Sequence, residues 1–312
     1  MFDAASKAFF HLLAQSRTLK QLASRYGARR PTGMARRFIA GETIDDAIAV
    51  ARALEARGLH ITLDLLGESV RTLDGAYAAT QDYVGVVDAL VAAGVERNVS
   101  IKLTQLGLDV DKASAIDNLR RILERAEPAG FFVRVDMESS AYTDVTLEIF
   151  ETLWHHGHRS LGVVLQSALR RTDGDLERMI ALGARVRLVK GAYKEPKSIA
   201  YPKKADVDAA YARQMTRLLE AGTFPAIATH DPALIARARE WARDHGVTHD
   251  RFEFQMLYGV RRDLQNALVA AGYQVRIYVP FGREWFPYFM RRLGERPANV
   301  LFVARGIVSD TG

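Results

Sequence analysis

The chain has 312 residues, a length that fits one large α/β domain or two domains of ordinary size. Its 48% hydrophobic and 26% charged residues are typical of a globular protein with a sizeable core. The absence of cysteine excludes disulfides, thiol nucleophiles and iron–sulfur clusters, and no apolar run reaches the roughly eighteen residues of a membrane-spanning helix.

The formal net charge of +6 is concentrated at the N-terminus. Residues 1–41 hold eight Lys or Arg and one acid, a net charge of +7, so the rest of the chain carries −1. Apolar residues such as Phe9 and Leu12 stand beside Lys7 and His11, which predicts an N-terminal helical arm over residues 1–58. The arm is open to three interpretations: a helix packed on the main domain, which we favour, a membrane-surface contact, or a transit segment. Because it lacks a helix-turn-helix or zinc-finger pattern, we expect no nucleic-acid binding.

From residue 60 onward, short strands rich in β-branched or aromatic residues alternate with longer helical stretches. Eight such strands over about 250 residues predict a (β/α)8 TIM-like barrel that fills residues 59–312. The main alternative, an open doubly wound sheet, normally binds a dinucleotide through G-x-G-x-x-G, and this chain contains no G-x-G. The predicted strands are 60–65, 99–103, 131–136, 161–166, 185–190, 226–229, 252–256 and 274–279.

Polar side chains stand at the ends of these predicted strands, where barrels of this class carry their active sites. Strands inside a barrel are buried, so a polar residue at such an end needs a partner or a ligand. A hydrogen bond between neighbouring strands would explain any one of them, but ten at one face favour a site. They are Asp64, Lys102, Asp136, Glu138, Gln166, Lys190, Thr229, His230, Gln255 and Tyr278.

A helix predicted from Glu284 to Pro297 follows the last strand and carries a basic, aromatic face. Residues three and four apart share a helix face, so Tyr288, Arg291, Arg292 and Glu295 project to one side. Arginine binds a carboxylate through two parallel hydrogen bonds, and a nearby tyrosine ring adds an apolar wall with a polar tip. This face therefore predicts a binding site for a small carboxylate.

Lys102 is a third cation available for that carboxylate. Asp136 and Glu295 are natural counter-ions, because they can hold the three cations in place when the site is empty. The strand-end rule and the helix face thus predict one site at one end of the barrel.

Four segments resemble, in the same order, the signatures of the proline dehydrogenase family of flavin enzymes. They are Ser100–Leu103 (SIKL), Val186–Tyr193 (VRLVKGAY), Phe252–Gly259 (FEFQMLYG) and the stretch from Arg276 through the helix ending at Pro297. The resemblance implies FAD-dependent oxidation of L-proline to 1-pyrroline-5-carboxylate, by hydride transfer to flavin N5. It also implies that a quinone reoxidises the flavin and that the reaction begins proline catabolism.

The resemblance also implies roles for individual residues. Lys102 and both arginines of the last helix contact the proline carboxylate, and two tyrosines wall the pyrrolidine ring. Asp136 orients Lys102 or a neighbour rather than acting as a nucleophile. The implied catalytic residues are Asp136 and Arg187, and the implied substrate-binding residues are Lys102, Tyr278, Tyr288, Arg291, Arg292 and Glu295.

A fixed positive group near the flavin stabilises its reduced form, and the resemblance puts Arg187 on the N5 side of the ring. At Asp231 the chain departs from the family, which more often has Asn there, so that polar contact does not carry over. The implied cofactor-binding residues are Met137, Gln166, Arg187, Lys190, Gly191, Ala192, Tyr193, Thr229, His230 and Gln255.

Two further segments are less specific. Residues Lys194–Asp206 form a long loop rich in charge and proline, and a lid over the barrel mouth and a solvated loop are equally good interpretations. His155–His158 (HHGH) resembles a metal-binding tract but has no carboxylate at ligand spacing, so we predict no metal site.

Three alternatives remain: 4-hydroxyproline dehydrogenase, a Schiff-base barrel enzyme with Lys102 or Lys190 as nucleophile, and a non-catalytic binding module. The chain ends soon after the eighth helix, so we expect a separate pyrroline-5-carboxylate dehydrogenase to act next. We expect a cytoplasmic protein; under the membrane-contact interpretation of the basic arm, the protein would lie peripherally on the inner face of the cell membrane.

Overall fold

The computed structural model describes residues 34–295, with side chains from Ala35 to Arg292. Most of the predicted arm, residues 1–33, and the C-terminal residues 296–312 lie outside this range, as does the side chain of Glu295. Within the described residues, no helix has the length and apolar character needed to cross a membrane.

Eight parallel strands form a closed barrel in which each strand pairs with the next and the eighth pairs with the first. The predicted (β/α)8 fold is therefore confirmed. Predicted and observed strand ends agree within two residues. The strands are β1 (His60–Leu65), β2 (Asn98–Ile101), β3 (Phe132–Val135), β4 (Leu161–Gln166), β5 (Arg185–Val189), β6 (Ala226–Ala228), β7 (Glu253–Leu257) and β8 (Val275–Phe281).

Helices precede and follow the strands, and several begin at residues that suit a helix N-cap. Thr43 and Asp46 form a reciprocal capping box at the first helix, and the side chains of Thr72 and Asp111 cap the next two. The helices are α1 (Ile44–Glu55), α2 (Leu73–Ala93), α3 (Lys112–Ala126), α4 (Thr143–His155), α5 (Thr172–Ala181), α6 (Lys204–Ala221), α7 (Pro232–Asp244), α8 (Arg262–Ala270) and α9 (Trp285–Glu295).

The described end of the predicted arm packs on the barrel. Helix α1 buries Ala47, Ala51 and Leu54 in the main core, which fills the space between the strands and the surrounding helices. The backbone N–H of Ala40 donates to the Pro280 carbonyl at 2.8 Å, so this segment is joined to the end of β8. The division into an arm and a catalytic barrel remains a prediction.

A second apolar cluster fixes α9 at the barrel mouth. Phe38 packs against Phe289 with ring centroids 6.2 Å apart, and both lie in a cluster with Leu66, which follows β1. Gly259, after β7, allows the backbone of Arg37 to approach the barrel closely, because a Cβ at residue 259 would lie 1.7 Å from the carbonyl oxygen of Arg37. The last helix is therefore held over the carboxyl ends of the strands.

Candidate active site

Asp136, just after β3, is the centre of a hydrogen-bonded cluster at the carboxyl end of the barrel. One of its oxygens accepts from Arg187 Nη1 at 2.8 Å, and the other accepts from the Tyr278 hydroxyl at 2.7 Å. Lys102 Nζ lies 3.6 Å from Asp136. We call Asp64, Lys102, Asp136, Arg187 and Tyr278 the mouth cluster. Strands β1, β2, β3, β5 and β8 bring its members together from distant parts of the sequence.

Lys102 lies between two carboxylates of this cluster. Its Nζ donates to Asp64 at 2.8 Å and to the Tyr278 hydroxyl at 3.3 Å. Burial by itself lowers the pKa of Lys102, but Asp64 and Asp136 outweigh burial and raise it, so the amine is protonated.

Asp64 is fully buried, and its second oxygen has no hydrogen-bond partner. Burial raises the pKa of Asp64, with Lys102 opposing and Asp136 adding to the shift. A buried carboxylate oxygen without a donor is unusual in a protein interior. The mouth cluster therefore has acceptor capacity that its own donors leave unused.

Arg187, on β5, has three hydrogen-bond partners on three other strands. Besides its bond to Asp136, its Nη2 donates to Ser100 Oγ at 3.1 Å and its Nε donates to Gln255 Oε1. The guanidinium also lies 5.3 Å from the centre of the Tyr278 ring. The cation is therefore held in one orientation by the barrel wall.

The ends of β4 and β5 form a narrow cradle of polar atoms. Gln166 Nε2 donates to the Glu138 carbonyl at 2.8 Å, and the preceding Met137 is buried. Gly191 has φ +107°, and a Cβ there would come 3.2 Å from Gln166 Oε1. The backbone thus approaches Gln166 as closely as a glycine allows.

Lys190 and the end of β6 form the outer edge of that cradle. Lys190 Nζ lies 2.9 Å from Asp231 and 2.6 Å from Asp208. Asp231 also caps α7 by accepting from the Ala233 N–H at 3.1 Å, so this carboxylate, which departs from the family pattern, has a structural task. Thr229 Oγ1 accepts from the backbone N–H of Asp231 at 3.1 Å.

His230 accepts a hydrogen bond from the Leu257 N–H through Nε2, at 2.9 Å, and so joins the ends of β6 and β7. An accepting Nε2 carries no proton, which leaves the ring proton of the neutral imidazole on Nδ1.

The long loop after β5 is attached to the barrel rim at two points. Glu195 accepts from the Ser140 N–H at 2.8 Å and from the Ser140 hydroxyl. Further along, the Tyr201 N–H donates to the Ala168 carbonyl at 2.8 Å. The loop is thus fixed to the ends of β3 and β4 at these two points, and its role as a lid remains a prediction.

Helix α9 brings its basic face to the same end of the barrel. Arg291 donates to Glu68, in the loop after β1, at 2.9 Å, and Arg292 lies 5.1 Å from the centre of the buried Tyr288 ring. The charges of both Arg291 and Glu68 act on the hydroxyl of Tyr193. Burial raises its pKa to about 12, Glu138 and Glu68 add to the shift, and Arg291 opposes it.

The residues at the ends of β3 to β7 fit the chemical groups of a flavin dinucleotide. The ring of such a group is flat, with hydrogen-bond acceptors and one N–H donor along its polar part and an apolar far end, and its pyrophosphate is anionic. Arg187, Gln166 and Lys190 supply donors or positive charge, Met137 supplies an apolar surface, and Ser167 Oγ is buried without a partner. No G-x-G loop is needed for such contacts.

Below the mouth cluster lies a second set of charges that sequence reasoning did not assign. Arg276 Nε lies 3.0 and 2.9 Å from the two oxygens of Glu253, and its Nη1 lies 2.7 Å from Glu96. We call Glu96, Glu253 and Arg276 the base cluster. The spacing gives a signal: Glu253 stands two residues before Gln255, and Arg276 two before Tyr278, so they share the inward faces of β7 and β8.

The described residues contain no group of three or more side chains suited to hold a metal ion. In the histidine tract, His158 Nδ1 lies 2.9 Å from Glu127, and His155 Nδ1 lies 2.7 Å from the carbonyl of Glu151 in its own helix. These contacts are structural.

Comparison with known proteins identifies relatives along most of the chain. A family model for proline dehydrogenase matches residues 47–305. Proline dehydrogenase from Deinococcus radiodurans is 44% identical over 88% of this chain and 90% of its own length. Proline dehydrogenase 2 from Bacillus subtilis is 38% identical over 96% of this chain and 97% of its own length.

A solved structure supports the same relationship. Proline utilization A (PutA) from Bdellovibrio bacteriovorus, inactivated by N-propargylglycine, superposes with a TM-score of 0.78 at 28% identity. The match covers 83% of this chain but 32% of that protein, so the chain corresponds to about a third of it.

Proposed function

The chain belongs to the proline dehydrogenase family, whose reaction is the oxidation of proline at the first step of its catabolism. From that premise we propose that it oxidises L-proline to 1-pyrroline-5-carboxylate with FAD. When bound, FAD supplies a hydride acceptor at N5, and a quinone takes up the electrons afterwards. The observation that carries the proposal is the mouth cluster, in which one protonated lysine and one arginine face the same end of a barrel lined by hydrogen-bonding groups.

The proposed substrate site binds the proline carboxylate through cations. Lys102, Arg291 and Arg292 would enclose it, since charge-assisted hydrogen bonds to a carboxylate are the strongest available to side chains. Asp64 and Asp136 keep Lys102 protonated and oriented, and Glu68 holds Arg291. The described side chains end before Glu295, whose part as a counter-ion remains a prediction.

The proposed reaction needs no covalent catalyst. The proline amine must be deprotonated so that its lone pair can assist loss of hydride from the adjacent ring carbon. The protein contributes orientation and exclusion of water, with Tyr278 and Tyr288 as walls and the loop that carries Glu195 as a cover. Arg187, which Asp136 holds in place, would compensate the negative charge of the reduced cofactor.

The proposed cofactor site extends from the inside of the barrel to its rim. Arg187, with Gln255 behind it, Gln166 and Met137 would meet the ring. The loop Lys190–Tyr193, with Thr229 and His230, would contact the remainder of the cofactor.

The test is a visible absorption spectrum of the purified protein before and after anaerobic addition of L-proline. We expect a yellow protein whose flavin band bleaches. A colourless protein would contradict the FAD proposal, and a yellow protein that proline does not bleach would contradict the substrate.

A Schiff-base mechanism is less consistent with the geometry. An imine-forming lysine must be deprotonated, whereas the pKa of Lys102 is raised by two carboxylates, and Lys190 lies between Asp208 and Asp231. Borohydride treatment in the presence of substrate should therefore trap no lysine adduct.

We also propose a peripheral membrane contact through the basic N-terminal residues, which fits electron transfer to a membrane quinone. Residues 1–41 carry +7, and each basic residue near an anionic surface contributes up to about 1 kcal/mol. Removing residues 1–33, which hold six of these eight basic residues, should weaken co-sedimentation with anionic vesicles and spare turnover with a soluble acceptor. If the truncated and unmodified proteins co-sedimented equally, the membrane contact would be contradicted and only packing would remain as a role for the arm. The next reaction, oxidation of pyrroline-5-carboxylate, would fall to a separate enzyme.

A further inference from the structure

A continuous line of hydrogen bonds connects the base cluster to Arg187. Arg276 Nε donates to both oxygens of Glu253, and one of these oxygens also accepts from Gln255 Nε2. At its other end, Gln255 accepts from Arg187 Nε through Oε1. Each bond in this line is buried within the barrel.

We propose that Glu253 is a positioning residue for flavin reduction, which fixes the guanidinium of Arg187 through the side-chain amide of Gln255. This inference rests on the proposed function of Arg187 beside the flavin. Glu253 itself lies one layer below the reacting groups and touches none of them.

The argument starts from the two ends of a glutamine amide, which have similar shapes but opposite hydrogen-bonding character. Arg187 can only donate, so it requires the oxygen end of Gln255. Glu253, when ionised, can only accept, so it requires the nitrogen end. An ionised Glu253 below and a guanidinium above therefore select one orientation of the amide between them.

Glu253 is suited to this task because it remains ionised although it is only 1% exposed. Burial raises the pKa of its carboxyl group, but Arg276, the hydrogen bond from Gln255 and the charge of Arg134 together outweigh burial, so the net shift is downward. The orientation of Gln255 is consequently the same across the neutral pH range.

Holding Arg187 by a neutral acceptor has an electrostatic consequence. Asp136 draws the guanidinium toward itself and neutralises its charge, whereas Gln255 holds the Nε side without adding negative charge. If Gln255 turned over, Arg187 would lose one of its three partners and move toward Asp136. The positive potential at the proposed flavin ring would then decrease.

The substitution Glu253→Gln gives two opposite expectations for the flavin reduction potential. Removing a buried negative charge acts at a distance and should raise the potential, because it favours the more anionic reduced flavin. Loss of the fixed orientation of Gln255 should lower the potential. We expect the second effect to win, with a tenfold smaller equilibrium constant for reduction, about 30 mV for a two-electron couple.

Two further variants separate positioning from folding and from charge. Gln255→Met removes the acceptor of Arg187 while Glu253 stays paired with Arg276. Glu96→Gln is the matched control, because it removes a carboxylate from the same Arg276 without touching Gln255. The holoproteins are compared by spectroelectrochemistry and by anaerobic stopped-flow reduction with proline, and folding is followed by thermal unfolding.

Support would be a lower potential and a reduction rate at least tenfold slower in Glu253→Gln and Gln255→Met, with half-saturation by proline within twofold of the unmodified protein. Glu96→Gln should not lower the potential, and the double variant Glu253→Gln/Gln255→Met should be no worse than either single variant. An unchanged or raised potential in a folded Glu253→Gln would overturn the inference, and so would an unchanged or raised potential in Gln255→Met if Glu253→Gln failed to fold. An unmodified protein that is colourless, or that proline does not bleach, would instead overturn the proposed function.

Discussion

The mouth cluster and the base cluster are both sets of buried charges inside one barrel, but their hydrogen bonding is satisfied to different degrees. In the base cluster, Arg276 binds both oxygens of Glu253 as well as Glu96 and the Ile61 carbonyl. In the mouth cluster, a buried oxygen of Asp64 has no donor. Buried charges are expensive unless they are fully bonded. A fully bonded cluster supports the fold, whereas the incompletely bonded one keeps an acceptor oxygen available for a donor group.

The same difference appears in the direction of the carboxyl pKa values. In the base cluster, Arg276 together with Gln255 and Arg134 outweighs burial and lowers the pKa of Glu253, and the pKa of Glu96 falls to about 2. In the mouth cluster, burial outweighs Lys102 and raises the pKa of Asp64. Raised carboxyl pKa values at the open end of a barrel are typical of sites that perform chemistry.

Replacing Lys102 by Met should have the largest effect of any single change in either cluster. It removes a cation proposed to bind proline and leaves Asp64 and Asp136 close together without compensation. The lost charge-assisted hydrogen bond contributes about 1.5–3 kcal/mol, and the uncompensated Asp64 and Asp136 would also repel the substrate carboxylate, so kcat/KM for proline should fall by roughly 100-fold or more. Steady-state kinetics with an artificial acceptor measure the loss. Lys112→Met, at an exposed pair with Glu148, is the control and should change kcat/KM little. A fall of less than about threefold in Lys102→Met would remove Lys102 from the site.

Replacing Glu96 by Gln tests the structural character of the base cluster through acid stability. The pKa of Glu96 is lowered from 4.5 to about 2, because the hydrogen bond from His60 and the charge of Arg276 outweigh burial. A lowered folded-state pKa stabilises the protein above pH 4.5, and this stabilisation is lost as pH falls through 2. The difference in unfolding free energy between the unmodified protein and the variant should therefore shrink by on the order of 3 kcal/mol across that interval. Urea unfolding at several pH values measures it, and a constant difference would show that Glu96 is not so strongly paired.

Arg291→Met and Arg292→Met extend the comparison to the rim of the mouth. A charge-assisted hydrogen bond contributes about 1.5–3 kcal/mol, so each change should raise KM for proline about 10- to 150-fold. The flavin spectrum should remain that of the unmodified protein, because neither arginine belongs to the proposed cofactor site. Arg283→Met, at an exposed position before the same helix, is the matched control. Two variants with an unchanged KM would contradict the carboxylate site on α9.

The sequence predicted the strands well because their signal is local. A buried strand of a parallel barrel is a short apolar run, and such a run is visible without knowledge of its neighbours. The errors are at strand ends, because pairing with a neighbouring strand determines the residue at which a strand ends. β8 continues to Phe281 because Leu65 pairs with it, although the predicted strand stops at residue 279.

The candidate site could be predicted only in part, for a related reason. The rule that barrel sites lie at strand ends identifies Lys102, Asp136 and Tyr278, and the structure joins all three by short contacts. It does not identify Glu68, whose partner Arg291 lies 223 residues away in the sequence. Pairing across such a distance depends on the tertiary fold, which single-sequence patterns do not specify.

Tyr278 belongs to the mouth cluster, and its substitution should have the smallest but most diagnostic effect, a change in selectivity. Its hydroxyl donates to Asp136 at 2.7 Å, and its ring lies beside the guanidinium of Arg187, so the side chain is fixed. A fixed wall rejects a 4-hydroxyl group on the proline ring by steric clash and by giving that hydroxyl no hydrogen bond, an effect of a few kcal/mol at most. Tyr278→Ser should lower kcat/KM for proline and reduce the ratio of proline to 4-hydroxyproline activity about tenfold.

Tyr278→Phe is the control, because it keeps the wall and loses only the hydroxyl, so its activity ratio should stay near that of the unmodified protein. If both variants lose activity on both substrates equally, Tyr278 supports the cluster without setting selectivity. An unmodified protein that prefers 4-hydroxyproline would make hydroxyproline oxidation the better assignment.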